Sequence, residues 1–180
     1  MQIKKAGELM IPLDDYPHIR FWDKLGDVIR IMTGPVGGST GISPRVVLVF
    51  DELDILVGMV RRRDAMRGLE PDFLLSKPMD YRKKLFDIPA DANLAELSYS
   101  KLVDGLTKKT STPVYDIMQP IKTFVEYDDH LIKAVYAMVD DNVSLLPVIR
   151  GQKVVGVIRS EEVLTELAAL TQESESQRHG

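Results

Sequence analysis

The sequence has no cysteine, three histidines and a single tryptophan in 180 residues. Without thiols there are no disulfides, thiolate metal sites or cysteine nucleophiles. His18, His130 and His179 lack the spacing of metal ligands, and no nucleophile stands beside a histidine constellation that would activate it. The chain therefore reads as a non-enzyme with no metal site. It also lacks a basic excess: 23 Lys and Arg against 27 Asp and Glu give a net charge of -4. With a pI of about 5.4, nucleic acid and acidic membrane surfaces are not expected partners. No apolar run approaches the roughly 20 residues of a membrane span, and Met1-Gln2-Ile3-Lys4-Lys5 does not open a signal peptide. A cytoplasmic location is the expectation. What is present is ordinary globular composition, 44% hydrophobic with a mean hydropathy of -0.07. A chain of this size buries roughly 70% of its unfolded surface, enough for a core without staples.

The apolar residues are arranged as a repeat. In the second half, Ile117-Met118-Gln119-Pro120 and an extended Phe124-Val125 precede Asp128 and Asp129, which stand where an N-cap belongs. Leu131, Ala134, Val135 and Met138 then fall on one helical face. Leu145 to Ile149 and Val154 to Ile158 form a hairpin around Arg150-Gly151-Gln152-Lys153. From Glu161, Val163, Leu164, Leu167, Ala168 and Leu170 return to helical spacing, so the order is β-α-β-β-α. The first half repeats it. Leu9-Met10-Ile11-Pro12 answers the opening, and Asp23 precedes Leu25, Val28, Ile29 and Met32. Val46 to Phe50 and Ile55 to Val60 form a hairpin around Asp51-Glu52-Leu53-Asp54, and Gly58-Met59-Val60-Arg61 matches Gly156-Val157-Ile158-Arg159. Met10, Met32, Met118 and Met138 recur at matched positions as pliable core fillers.

Between the copies the stretch 70–112 is too long for a bare connection. Asp91 would cap a helix whose apolar face is Leu94, Leu97, Leu102, Val103 and Leu106, and Thr107 to Pro113 reads as a linker. Residues 171–180 form a polar tail expected to fray. The expected divisions are 5–69, 70–112, 113–170 and 171–180. Gly34-Pro35-Val36-Gly37-Gly38-Ser39-Thr40-Gly41 lacks the Gly-Lys-Ser/Thr ending of a P-loop and reads as a surface loop. Phe21-Trp22 reads as core packing before the first helix. Asp14-Asp15, like Asp128-Asp129, reads as turn or cap chemistry.

Val114-Tyr115-Asp116-Ile117-Met118, the helix after Asp129, Leu146-Pro147-Val148-Ile149 and Gly156-Val157-Ile158-Arg159-Ser160-Glu161-Glu162-Val163 together resemble the cystathionine-β-synthase-type (CBS) domain. The first copy resembles it less closely. The resemblance implies an α+β fold of two pseudo-symmetric repeats packed sheet to sheet. It also implies an adenosine-type ligand such as AMP, ADP or ATP in a cleft between repeats, with no required cofactor. Pairing of modules into a homodimer and regulation of an unidentified partner protein follow from the same likeness.

The family's Gly-hydrophobic-hydrophobic-Ser/Thr-x-x-Asp segment handles sugar and phosphates, since a helix-start aspartate can accept two ribose hydroxyls. The resemblance thus assigns Gly58, Arg61 and Asp64 to one site, with Ile11 on the base side, and Gly156, Arg159 and Glu162 to a second. Arg61 and Arg159 replace the usual Ser/Thr, and Glu162 replaces Asp, so the cleft containing Asp64 is the favoured one. Arginine still suits phosphate through its planar fork. Arg61-Arg62-Arg63 precedes a helix whose dipole repels cations; a bound polyphosphate would offset that, and so would a solvated turn with Asp64 as a simple cap. A ligand-free dimerisation or interaction scaffold remains the alternative function.

Overall fold

The computed structural model describes residues 3–34, 44–70 and 99–178. The first repeat comprises α1 (Ala6–Leu9), β1 (Ile11–Pro12), a 3-10 turn (Leu13–Asp15), β2 (His18–Arg20), α2 (Leu25–Thr33), β3 (Val46–Phe50), β4 (Leu56–Arg61) and α3 (Arg62–Gly68). A helix α4 (Tyr99–Thr110) follows. The second repeat comprises a 3-10 turn (Val114–Asp116), β5 (Val125–Glu126), α5 (Leu131–Asp140), β6 (Leu145–Arg150), β7 (Lys153–Arg159) and α6 (Ser160–Arg178).

Two sheets result, in the orders β2-β3-β4 and β1-β7-β6-β5. Within each repeat a parallel pair (β2–β3, β5–β6) is joined through a helix, and an antiparallel hairpin follows. Alternation along a strand separates two layers. Val47 and Val49 face α2 and pack with Leu25, Val28 and Met32. Val46, Leu48 and Phe50 face the other way and pack with Leu145 and Val157 of the second sheet. Every residue of β3 is buried, as befits a strand covered on both faces. The sheets are therefore packed face to face with helices outside, the expected mixed α/β arrangement.

The repeats exchange their leading segments. β1 pairs antiparallel with β7 of the other repeat, Ile11 opposite Val157 and Pro12 opposite Gly156. Reciprocally, Gln119 bridges Met59 on β4, its amide donating to the Met59 carbonyl at 2.8 Å and its carbonyl accepting from the Met59 amide at 2.9 Å. The first helical amides are capped across the same exchange: Leu25 N–H donates to Thr112 O at 2.8 Å and Leu131 N–H to Lys4 O at 3.1 Å. Groups that a helix start leaves without intrahelical partners are thus satisfied by the opposite repeat.

Several expectations are corrected. Asp128 and Asp129 do not cap α5, whose N-cap is His130. Asp129 instead accepts the Glu126 amide at 2.8 Å and pairs with Lys133 at 2.7 Å, closing the turn before the helix. Asp23 does the same with the Arg20 amide at 2.9 Å. The connection between β6 and β7 is only Gly151-Gln152, and Gly151 takes φ +64°, a value primed two-residue turns require of that position. α6 runs to Arg178 rather than fraying at Thr171, because 171–178 contains no Gly or Pro to stop it. α4 absorbs Thr107 to Thr110 of the expected linker, and its Leu102 and Val103 are exposed rather than buried. Asp91, Leu94 and Leu97, and the loop from Pro35 to Gly41, lie outside the described residues. Trp22 is half exposed, meeting Phe21 edge-on at 5.1 Å, so only Phe21 joins the core.

Candidate functional site

The exchange decides what lines the clefts. β1 lies on β7 and Gln119 on β4, and after each the chain returns to its own repeat's sheet, so each cleft combines one repeat's Arg-bearing strand end with the other repeat's linker. The first cleft holds a cavity of about 240 Å³ lined by Met59 and Arg61 on one side and Gln119, Pro120, Ile121, Lys122 and Thr123 on the other, closed by Asp141, Val143, Leu145 and Pro147. A smaller recess of about 60 Å³ shares Met59, Arg61, Val143 and Leu145 with it. The lining mixes apolar Met59, Ile121, Val143 and Leu145 with two cations, Arg61 and Lys122, and Asp141 supplies a carboxylate that accepts the Thr123 hydroxyl.

Asp64 is placed by a local device. Arg61 is the N-cap of α3, and its amide donates to Asp64 Oδ2 at 3.0 Å. Its guanidinium closes a two-pronged ion pair, Nε to Oδ2 at 2.8 Å and Nη2 to Oδ1 at 3.0 Å. Asp64 is 2% exposed. Burial by itself pushes its carboxyl up, but the Arg61 guanidinium and amide, with the Arg67 charge, hold it below the usual carboxylate range. The carboxylate expected to grip a ribose is therefore already engaged, and Arg61 is the member of the pair that reaches the cavity. Arg159 and Glu162 repeat the motif: the Arg159 amide donates to Glu162 Oε2 at 3.0 Å and Nε to the same carboxylate at 3.0 Å. The longer glutamate reproduces the aspartate's cap.

The other expected residues serve different ends. Ile11 lies in β1 against Val157, within the layer between the sheets. A Cβ on Gly58 would sit 2.9 Å from Gln119 O and 3.0 Å from Met118 Sδ. One on Gly156 would strike Ile11 O and come 2.8 Å from Met10 Sδ. Both glycines are thus there to admit the exchanged segments. Arg62 and Arg63 are exposed on the first turn of α3 and line neither cleft cavity among the described residues. α3 is only seven residues long, too short to present a strong dipole to an anion.

The second cleft differs. Its cavity, about 180 Å³, is lined by Tyr16, Arg45, Val46, Ser144, Leu145, Arg159 and Glu161. Tyr16 is 5% exposed, and its hydroxyl donates to Val46 O at 2.7 Å; burial pushes its phenol well above the usual range, against the opposing pull of the Arg159 charge. Among the described residues no three His, Asp or Glu side chains gather as metal ligands, and no helix is long and apolar enough to cross a membrane.

Residues 114–169 match the CBS domain family. The second repeat is a CBS domain. The whole chain has the fold of a CBS-domain pair. It is similar to the CBS domains of a transcriptional regulator from Streptococcus pneumoniae, at 16% identity over 91% of this chain and 99% of that one, with a TM-score of 0.58. CBSX2, a CBS-pair protein of Arabidopsis thaliana, is 19% identical in its complex with AMP, covering 94% and 98% with a TM-score of 0.61. The cytosolic domain of the Mg2+ channel MgtE in complex with ATP is 20% identical over 89% of this chain and 48% of that one, at a TM-score of 0.55. No curated protein matches the chain. At these identities the structures speak for the fold.

The cavity residues Lys122, Thr123 and Asp141 were not legible as site residues, because the cleft joins Met59 and Arg61 to segments about 60 to 90 positions further along the chain. The one available signal was the match of Pro12 to Pro120, which makes the residues after each proline equivalent linkers.

Proposed function

We propose that the protein is a non-catalytic regulatory module that binds an adenine nucleotide in the first cleft and passes its occupancy to another protein. The observation that carries this is the convergence of Arg61 and Lys122 on a cavity that also offers Asp141 and Thr123. Cations of this kind make charge-assisted bonds to phosphate oxygens, strongest where arginine presents its fork. Asp141, rather than the engaged Asp64, is the acceptor available for ribose hydroxyls. Met59, Ile121, Val143 and Leu145 give a base an apolar bed. Relatives of the same fold solved with AMP and with ATP support the ligand class.

The test is a melting-temperature titration with AMP, ADP and ATP. A ligand at 100 times its Kd stabilises the folded state by about 2.7 kcal/mol. For a chain of this size that is a rise of about 5–11 °C. The rise should vanish in Arg61→Ala and shrink strongly in Asp141→Ala. No rise with any of the three nucleotides refutes the reading.

A homodimer is the second part of the proposal, carried by one face of the second repeat. Ile132, Tyr136 and Val139 of α5 are 54%, 71% and 76% exposed, and Leu164 of α6 is 64% exposed. The corresponding face of α2 is approached by α4, with Gly26 against Thr110. Apolar residues at i, i+4 and i+7 left in water mark an interaction face.

A further inference from the structure

The two clefts are not equivalent, and the difference lies in one linker. Strand registers align Ile19 with Val125, since Ile19 lies opposite Val49 and Val125 opposite Val148, while Val49 and Val148 each face the glycine of their own hairpin partner. Between Pro12 and Ile19 there are six residues, 13–18; between Pro120 and Val125 there are four, 121–124. The first linker is thus two residues longer. It winds into the 3-10 turn Leu13–Asp15 and delivers Tyr16 inward. The shorter linker has no counterpart to that ring and leaves Ile121, Lys122 and Thr123 as cavity wall.

Tyr16 packs in the layer between the sheets with Val46, Leu48 and Leu145. Its hydroxyl is anchored on Val46 O at 2.7 Å. The Arg159 side chain is correspondingly 15% exposed, against 37% for Arg61 in the open cleft. The remaining cavity, about 180 Å³, is smaller than the 240 Å³ of the first cleft. Arg45, in turn, faces Glu161 at 3.9 Å across the mouth.

We infer that Tyr16 is a plug that closes the second cleft, so that the pair takes one nucleotide per chain, in the first cleft alone. This rests on the nucleotide reading above. Opening the second cleft uncovers Arg159 beside Ser144 and Arg45, which are already exposed, and the three together have the same cation-and-hydroxyl chemistry as the first.

The experiment is isothermal titration of the full chain with AMP and ATP, comparing the wild type with Tyr16→Ala, Tyr16→Val and Tyr16→Phe. One equivalent per wild-type chain is expected, lost in Arg61→Ala. Tyr16→Ala should bind twofold more, two equivalents, with the second removed by adding Arg159→Ala. Tyr16→Val serves the same purpose if the alanine variant does not fold, and Tyr16→Phe, which keeps the ring, should stay at one. Two equivalents in the wild type, one of them lost in Arg159→Ala, overturn the inference whether or not the Tyr16 variants fold. A folded Tyr16→Ala that still binds one equivalent overturns it too. If the wild type binds none while Tyr16→Ala binds one, the first-cleft reading fails and the plug stands. If neither binds, both fail.

Discussion

Replacing Gly156 by alanine adds one methyl group, and the structure sets its cost. The new Cβ would collide with the main-chain carbonyl of Ile11 on β1 and lie 2.8 Å from Met10 Sδ. The methionine can rotate away, since its thioether is soft and its chain flexible. The carbonyl cannot, because Ile11 and Pro12 are held in register with Val157 and Gly156. Relief therefore requires the exchanged strand to move as a unit, and overpacking of this kind costs about 1–3 kcal/mol. At about 2–4 °C per kcal/mol for a chain of this length, Gly156→Ala should lower Tm by about 2–12 °C. The control is the same substitution at Gly105, inside α4, where nothing lies within 4 Å of the added Cβ. There the alanine reduces backbone entropy in the unfolded chain and should stabilise by about 0.5–1 kcal/mol. Differential scanning fluorimetry on the two variants should give shifts of opposite sign. A Gly156→Ala protein that melts within a degree of the wild type would refute the close pairing of β1 with β7, and with it the assembly of the second cleft.

Asp64→Asn keeps an acceptor for the Arg61 amide but removes the charge, and with Arg61 partly solvated the expected loss near neutral pH is about 1 kcal/mol, from denaturant midpoints. Because the folded carboxyl titrates below its unfolded value, that contribution is complete above about pH 5 and fades as the pH falls through the folded value, so the gap between variant and wild type should narrow toward about pH 3. A gap that widens on acidification contradicts the ion pair. Tyr136→Asp combined with Leu164→Asp should convert a dimer into a monomer in sedimentation velocity, while a wild type that sediments as a monomer at tens of micromolar removes the α5–α6 interface.

What could be read from the sequence was local. The i, i+3, i+4, i+7 rows of α2 and α5 and the β-branched runs of β3, β4, β6 and β7 carry their own period, and helix and hairpin follow from it. The arginine and the acid three residues on, Arg61 with Asp64 and Arg159 with Glu162, were equally visible, but their mutual pairing was not. A carboxylate at a helix start can serve a ligand or its own neighbour, and only the 1% exposure of the Asp64 side chain decides between them. Leu9-Met10-Ile11-Pro12 and Ile117-Met118-Gln119-Pro120 were recognised as equivalents without any sign that each lies in the other repeat's sheet. No residue type marks such an exchange; it is a non-local pairing, and its only local trace is the glycine each segment packs against.

The exchange also explains why two nearly equal motifs need not have equal roles. Each arginine stands at the end of its own repeat's hairpin, yet the room in front of it is set by the linker of the other repeat. Substitutions around Arg159 therefore leave the second cleft shut so long as residues 13–18 keep their length and Tyr16. Conversely, lengthening 121–124 would close the first cleft without touching Arg61. On the proposed nucleotide reading, ligand capacity in a pair built this way is controlled by linker length in the opposite repeat, and the arginine motif is only half of each site.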